Sequence, residues 1–181
     1  DMTEYRYHGK FQSHGFQCAM GTVIMSACFD EFLKMDLSKI DVDACVAAWP
    51  TLEQEQQRAL EIFKDFPVPQ LGYTEITKKY NDAETVRQQL TKVKENWPEL
   101  KQRIQNQVYT YDKMVALMKS VGAPVGPESI GLTRAQVRRM VDFVQLMRWR
   151  INLFDLCKRA QIYDALLDRV FGKGGVLEIS E

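Results

Sequence analysis

Ser13-His14-Gly15-Phe16-Gln17-Cys18-Ala19-Met20-Gly21-Thr22 runs without a break into Val23-Ile24-Met25-Ser26-Ala27-Cys28-Phe29, and this is the least polar long segment of the chain. It carries one of only two histidines. The small residues Gly15, Ala19, Thr22 and Ser26 recur every three or four positions, the spacing of one helix edge. A helix apolar on most sides must be surrounded by other helices, and small residues on one edge let a neighbouring backbone come close. The spacing therefore predicts a central helix from His14 to Met35, with Ser13 as its N-cap and the rest of the fold packed around it.

Length and charge bound what that fold can be. A chain of 181 residues can bury a continuous core, so one domain over 1–181 is expected. Lys plus Arg and Asp plus Glu both total 24, a formal net charge of zero, which points away from a nucleic-acid partner and from an anionic membrane surface. The apolar run from Phe16 to Leu33 contains Gln17, Thr22, Ser26, Asp30 and Glu31 and reads as a core helix rather than a membrane span. Cys18, Cys28, Cys45 and Cys157 are scattered, with no Cys-x-x-Cys pair, and read as buried thiols in a reducing, cytoplasmic setting. Asp1 to Gln12 is polar and lacks the apolar core of a secretory signal. The chain opens at Asp1 without an initiator methionine, so a piece of a longer protein is expected.

Helix starts and stops are legible along the rest of the chain. Asp41 or Ser38 opens a short helix that Pro50 closes. Thr51-Leu52-Glu53-Gln54 is a capping box leading to a helix through Leu60 and Phe63. Pro67-Val68-Pro69 and Gly72 read as a connection. Asn81-Asp82-Ala83-Glu84 is a second capping-box-like start, to a helix with Val86, Leu90, Val93 and Trp97 on one stripe. Pro98 stands in a first turn, ahead of Leu100, Ile104 and Val108. The next helix carries Met114, Leu117, Met118 and Val121 and ends at Gly122, a left-handed residue. Ala123 to Gly131 is the longest irregular connection.

Thr133-Arg134-Ala135-Gln136 is a third capping box, before Val137, Met140, Val141, Val144 and Met147. Ile151 to Leu156 continues or restarts that helix, and Ile162, Leu166, Leu167 and Val170 complete the last one. No credible strand is present, since the alternating tail Val176-Leu177-Glu178-Ile179 is too short. The fold class is all-α, a multi-helix domain.

Residues that carry chemistry are few. There is no Gly-x-Gly-x-x-Gly after a strand and no phosphate-binding loop, and Lys173 among the terminal glycines does not supply one. His14 is a metal-ligand candidate, because a neutral imidazole at a helix start can face an open site. The ordinary alternative is a histidine bonded to solvent or backbone. Cys18, one turn further on, faces the same side, although cysteine more often acts as a small hydrophobe. His8 and Lys10 lie in a polar segment and are substrate-side candidates or simply solvated. Arg134, Arg138, Arg139, Arg148 and Arg150 form a basic cluster, ordinarily a solvated or internally paired face, with a phosphate site as the weaker reading. Trp149 and Phe154 belong to aromatic and methionine stripes of the core kind.

The order of motifs carries a resemblance. Gly9-Lys10 through Ser13-His14-Gly15 to Gly21-Thr22 resembles the His-Gly motif in the helical domain of the iron-containing alcohol dehydrogenase and dehydroquinate synthase-like family. Trp97-Pro98-Glu99-Leu100-Lys101, Gly122-Ala123-Pro124 with Pro127-Glu128 and Ile130-Gly131-Leu132-Thr133, and Met147-Arg148-Trp149-Arg150 with Leu153-Phe154-Asp155-Leu156 resemble its sn-glycerol-1-phosphate dehydrogenase branch in the same order. The resemblance spans nearly the whole chain.

It implies a two-domain enzyme in which an N-terminal α/β domain binds NAD(P) and a C-terminal helical domain supplies most of a metal site, usually zinc or iron. This chain resembles the helical half, and by the motif His14 is the one family ligand it contains. A second histidine and an aspartate would lie upstream of Asp1. The implied reaction is reduction of dihydroxyacetone phosphate to sn-glycerol 1-phosphate, with metal polarising the carbonyl. Phe16 stands where an acidic residue is commoner, and Ala19 where a glycine is, so a polyol or alcohol substrate is a further option. With one ligand the isolated chain is expected to bind metal poorly and to have no turnover. Its implied partners are a small-molecule substrate, the missing nucleotide domain and a second copy in a homo-oligomer. The competing expectation is a non-catalytic helical interaction module.

Overall fold

The computed structural model describes residues 13–179, which form ten α-helices and two 3₁₀ turns with no strand among them. The helices are α1 His14–Lys34, α2 Val42–Ala47, α3 Leu52–Phe63, α4 Gln70–Lys79, α5 Ala83–Glu95, α6 Trp97–Gln105, α7 Tyr111–Ser120, α8 Arg134–Leu146, α9 Leu153–Arg159 and α10 Tyr163–Phe171. The 3₁₀ turns are Leu37–Lys39 and Pro127–Ile130. No helix among the described residues is long and apolar enough to cross a membrane.

Local chemistry sets the boundaries. Ser13 Oγ accepts from Phe16 N at 3.3 Å and starts α1, and Asp41 accepts from Ala44 N at 3.0 Å to start α2. Thr51 and Gln54 form a reciprocal box, with Thr51 N donating to Gln54 Oε1 at 2.8 Å and Gln54 N to Thr51 Oγ1 at 3.2 Å. Thr133 and Gln136 repeat it at 2.8 and 3.2 Å. Each box satisfies amides that the first turn leaves without helical partners. Gly122 and Gly131 adopt left-handed φ of 67° and 77°, where a Cβ would crowd the following carbonyl.

Some sequence expectations change, and one open alternative is decided. Pro67 to Gly72 is not one connection: α4 begins directly after Pro69 and contains Gly72, which is buried. A Cβ at Gly72 would stand 2.7 Å from Phe63 Cδ2, so this glycine is where the Phe63 ring lies against the helix rather than where the helix breaks. Val108 falls outside α6, which ends at Gln105. Ile151 to Leu156 is a restart: Asn152 accepts from Phe154 N and Asp155 N, while Asp155 Oδ2 accepts from Asn152 N at 2.8 Å.

The chain divides into two compact units. One holds residues 13–35, Pro98–Arg138 and residues 165–179, and in it α1 packs against α7. One side of α1 from Ala19 onward is a core element, with Ala19 and Met20 buried and Val23, Ala27, Cys28 and Phe32 fully so. Gly15, Phe16, Cys18, Gly21 and Thr22 are exposed. This corrects the expectation of a rod covered on most sides. No described residue lies within 4 Å of a Cβ built at Gly15 or Gly21, so those positions would permit a close neighbour.

The other unit holds Asp36–Trp97 and Arg139–Asp164. Here α3 packs against α4, and α2 against α5. Cys45, Val86, Leu90 and Ala160 form a buried cluster covered by Ile40, Val46, Trp49 and Leu156. Phe63 meets Phe143 edge-on with ring centroids 4.9 Å apart, a favoured aromatic arrangement.

Candidate functional site

His14 is the first residue of α1 and is exposed. A residue one turn further along a helix lies above it on the same face, and the structure brings Cys18 Sγ to 3.4 Å from His14 Nε2. Cys18 is exposed, against the expectation that all four thiols are buried. The other three are buried, and all four are free. Burial pushes the Cys28 thiol up to about 12, and burial followed by the Asp41 charge raises Cys45 as well. Those two are therefore packing thiols rather than nucleophiles.

An imidazole nitrogen and a thiolate sulfur on adjacent corners of a tetrahedral zinc stand roughly 3.5 Å apart, so the donor spacing of His14 and Cys18 suits such an ion. The pair is two donors at most. Among the described residues no group of three or more His, Cys, Asp or Glu side chains is placed to hold a metal. His8 and Lys10 lie outside the described residues. Beside Cys18 a shallow apolar groove of about 490 Å³ is lined by Met25 and Phe29 of α1 and by Val108, Tyr109 and Met114. Asp30, at the far end of the same helix, accepts from Tyr111 N at 2.7 Å and ties the start of α7 to it.

The basic residues are partly absorbed by internal contacts. Arg134 Nε donates to Glu128 at 3.0 Å and Arg134 Nη1 to the Glu178 carbonyl at 3.1 Å. The Arg150 guanidinium lies 5.8 Å from the Trp149 ring centroid, and Trp149 is exposed rather than core. Phe154 is buried as its stripe predicts.

The second unit holds a polar centre that sequence reading missed. Lys79 is buried, with Nζ 2.7 Å from Asp155 Oδ1 and a further hydrogen bond to the Gln145 carbonyl. Gln145 Nε2 donates to the same Asp155 oxygen at 2.7 Å, and its Oε1 accepts from Arg58 Nη2 at 2.7 Å. Arg58 is bidentate on Glu55 at 2.8 and 2.7 Å. Burial holds the Lys79 ammonium below its ordinary pKa, with Asp155 opposing that effect. Arg159 donates to Gln89 at 2.7 Å and Asn81 at 2.9 Å, while its buried Nε has no hydrogen-bond partner among the described residues. No periodicity could have announced this centre, because Lys79 and Asp155 are 76 positions apart and read individually as surface charges. The pattern Asn152-x-x-Asp155 was the one local clue.

A smaller cavity of about 230 Å³ lies beside that centre, lined by Trp49, Glu55, Lys158, Gln161, Tyr163 and Asp164. Gln161 has a left-handed φ of 55° at the end of α9, where Ile162 N closes onto the Cys157 carbonyl. A side chain in this conformation costs about 1 kcal/mol relative to glycine.

No family model matches the chain, and no curated protein or solved structure matches it.

Proposed function

We propose that this chain is the helical half of a metal-dependent, NAD(P)-linked dehydrogenase acting on a polyol phosphate, and that His14 is its contribution to the metal site. The observation behind this reading is that the imidazole stands at a helix start with its Nε2 3.4 Å from a second soft donor, Cys18 Sγ, beside an open apolar groove. A core histidine would be buried with its ring nitrogens satisfied inside the protein.

On this reading the His14 imidazole would hold the metal, Cys18 would be a neighbouring soft donor, and the remaining ligands would come from the preceding domain. When bound, the metal polarises the carbonyl of dihydroxyacetone phosphate and the nicotinamide supplies the hydride. The described helices offer no strand-to-glycine-turn cradle for a dinucleotide, so the nicotinamide belongs to that upstream domain. The test is NADH or NADPH oxidation dependent on dihydroxyacetone phosphate, followed in the parent protein and in its His14→Ala variant. Loss of a metal ligand is expected to lower the rate by about 100-fold or more. An unchanged rate would contradict the role given to His14.

A second reading, a non-catalytic interaction module, draws on the exposed Phe16, Trp149 and Ile151 side chains. Absence of any turnover by the parent protein together with specific protein capture through those residues would favour it.

A further inference from the structure

Lys158 differs from the other lysines around it. Lys79 meets Asp155, Lys78 meets Glu75 at 2.8 Å and Lys64 meets Glu61 at 2.5 Å. Among the described residues no carboxylate or carbonyl lies at bonding distance of Lys158 Nζ, which instead sits 4.1 Å from the centroid of the Tyr163 ring. Two of the three acidic groups facing it are committed elsewhere. Glu55 is held by Arg58, and Asp142 accepts from the Tyr163 hydroxyl at 2.6 Å. Asp164 is the third, exposed on the rim of the cavity. The Tyr163 ring face favours the ammonium, but an amine in a small semi-enclosed space and outside any ion pair is open to a carbonyl once burial has shed its proton.

We propose that Lys158 is a carbonyl-reactive amine and that the cavity it shares with Trp49, Gln161, Tyr163 and Asp164 takes a small hydroxyaldehyde. The volume, about 230 Å³, lies below that of drug-sized sites and limits the ligand to a few carbons. Lys158 Nζ attacks the aldehyde carbon, a C–N bond forms, and the carbonyl oxygen leaves as water with the two hydrogens of the amine. The product is an imine, and nothing is oxidised or reduced. The Asp164 carboxylate and the Gln161 side-chain oxygen are the acceptors that the cavity offers to the hydroxyl of the ligand. Burial, the largest influence, lowers the Lys158 pKa, and Arg58 adds to that, while Glu55, Asp142 and Asp164 oppose it. A larger share of the amine is then neutral near pH 7.

The test treats the full chain briefly with glycolaldehyde and cyanoborohydride near neutral pH, and maps the reduced adducts by peptide mass spectrometry. Lys39, whose side chain is 83% exposed, is the internal reference. A lowered amine pKa raises its neutral fraction, so Lys158 is expected to label faster than Lys39. In urea that advantage should vanish. Acetaldehyde, which lacks the hydroxyl, should show a smaller ratio of Lys158 to Lys39 labelling, and Asp164→Asn should bring the glycolaldehyde ratio down towards it. Labelling of Lys158 no faster than Lys39, or an advantage that persists in urea, overturns the reactive amine. Equal ratios for the two aldehydes overturn the hydroxyaldehyde assignment.

Discussion

At the start of α1 an imidazole and a thiol meet in the open, while in the other unit Lys79, Asp155, Gln145, Arg58 and Glu55 meet in the interior, each held by the next. The difference follows from what water supplies. An exposed donor such as His14 is solvated whatever its neighbours do, so it can be left coordinatively unfinished and ready for a ligand. A buried ammonium has no such support and persists only where the protein provides every partner. The interior cluster is therefore fixed by its own partners, whereas the exposed pair is left to solvent.

The largest expected effect lies in the interior. Asp155→Ala removes the carboxylate from Lys79 and Gln145 and the reciprocal half of the Asn152 cap together. It is expected to lower stability by about 3–5 kcal/mol, because it leaves an uncompensated buried charge. Urea unfolding measures this, and a loss below about 1 kcal/mol would mean that the cluster is wetter than its burial indicates.

Gly72→Ala comes next. The new methyl meets the Phe63 ring, which is itself fully buried against Phe143, so overpacking is expected to cost about 1–3 kcal/mol against a gain of about 1 kcal/mol in helix propensity. A stabilised variant would show that Phe63 can swing aside. Thr51→Ala is smaller, about 1 kcal/mol from the lost capping box, and double substitution with Asp155→Ala should be close to additive if the cap and the buried cluster are independent. The smallest effect belongs to His14→Ala, within about 0.5 kcal/mol for an exposed side chain, which is what separates a ligand from a structural residue.

What was legible in the sequence was whatever a helix can announce within four residues. Ser13, Asp41, Thr51 with Gln54 and Thr133 with Gln136 all cap the helices their positions predict, while Asp82 caps the helix whose box pattern began at Asn81. The all-helical class followed from those signals and from the apolar stripes between them. Gly72 misled because a glycine placed to admit an aromatic ring has the same letter as one that ends a helix. Cys18 misled because apolar neighbours along the chain do not say which side of α1 is covered. The charged interior was illegible for a deeper reason: Glu55, Lys79 and Asp155 are ordinary surface letters until tertiary packing removes their water. His14 was legible as a candidate, and its pairing with Cys18 followed from the helical turn between them.

The most direct test of the role assigned to His14 is the zinc content of the parent protein, measured by mass spectrometry of the metal alongside melting of the wild type and of His14→Ala. The account predicts about one zinc per subunit in the wild type, loss of that zinc in the variant, and melting curves matched once the metal is chelated. Full zinc retention by a folded His14→Ala protein would contradict it and leave the exposed imidazole without a metal role.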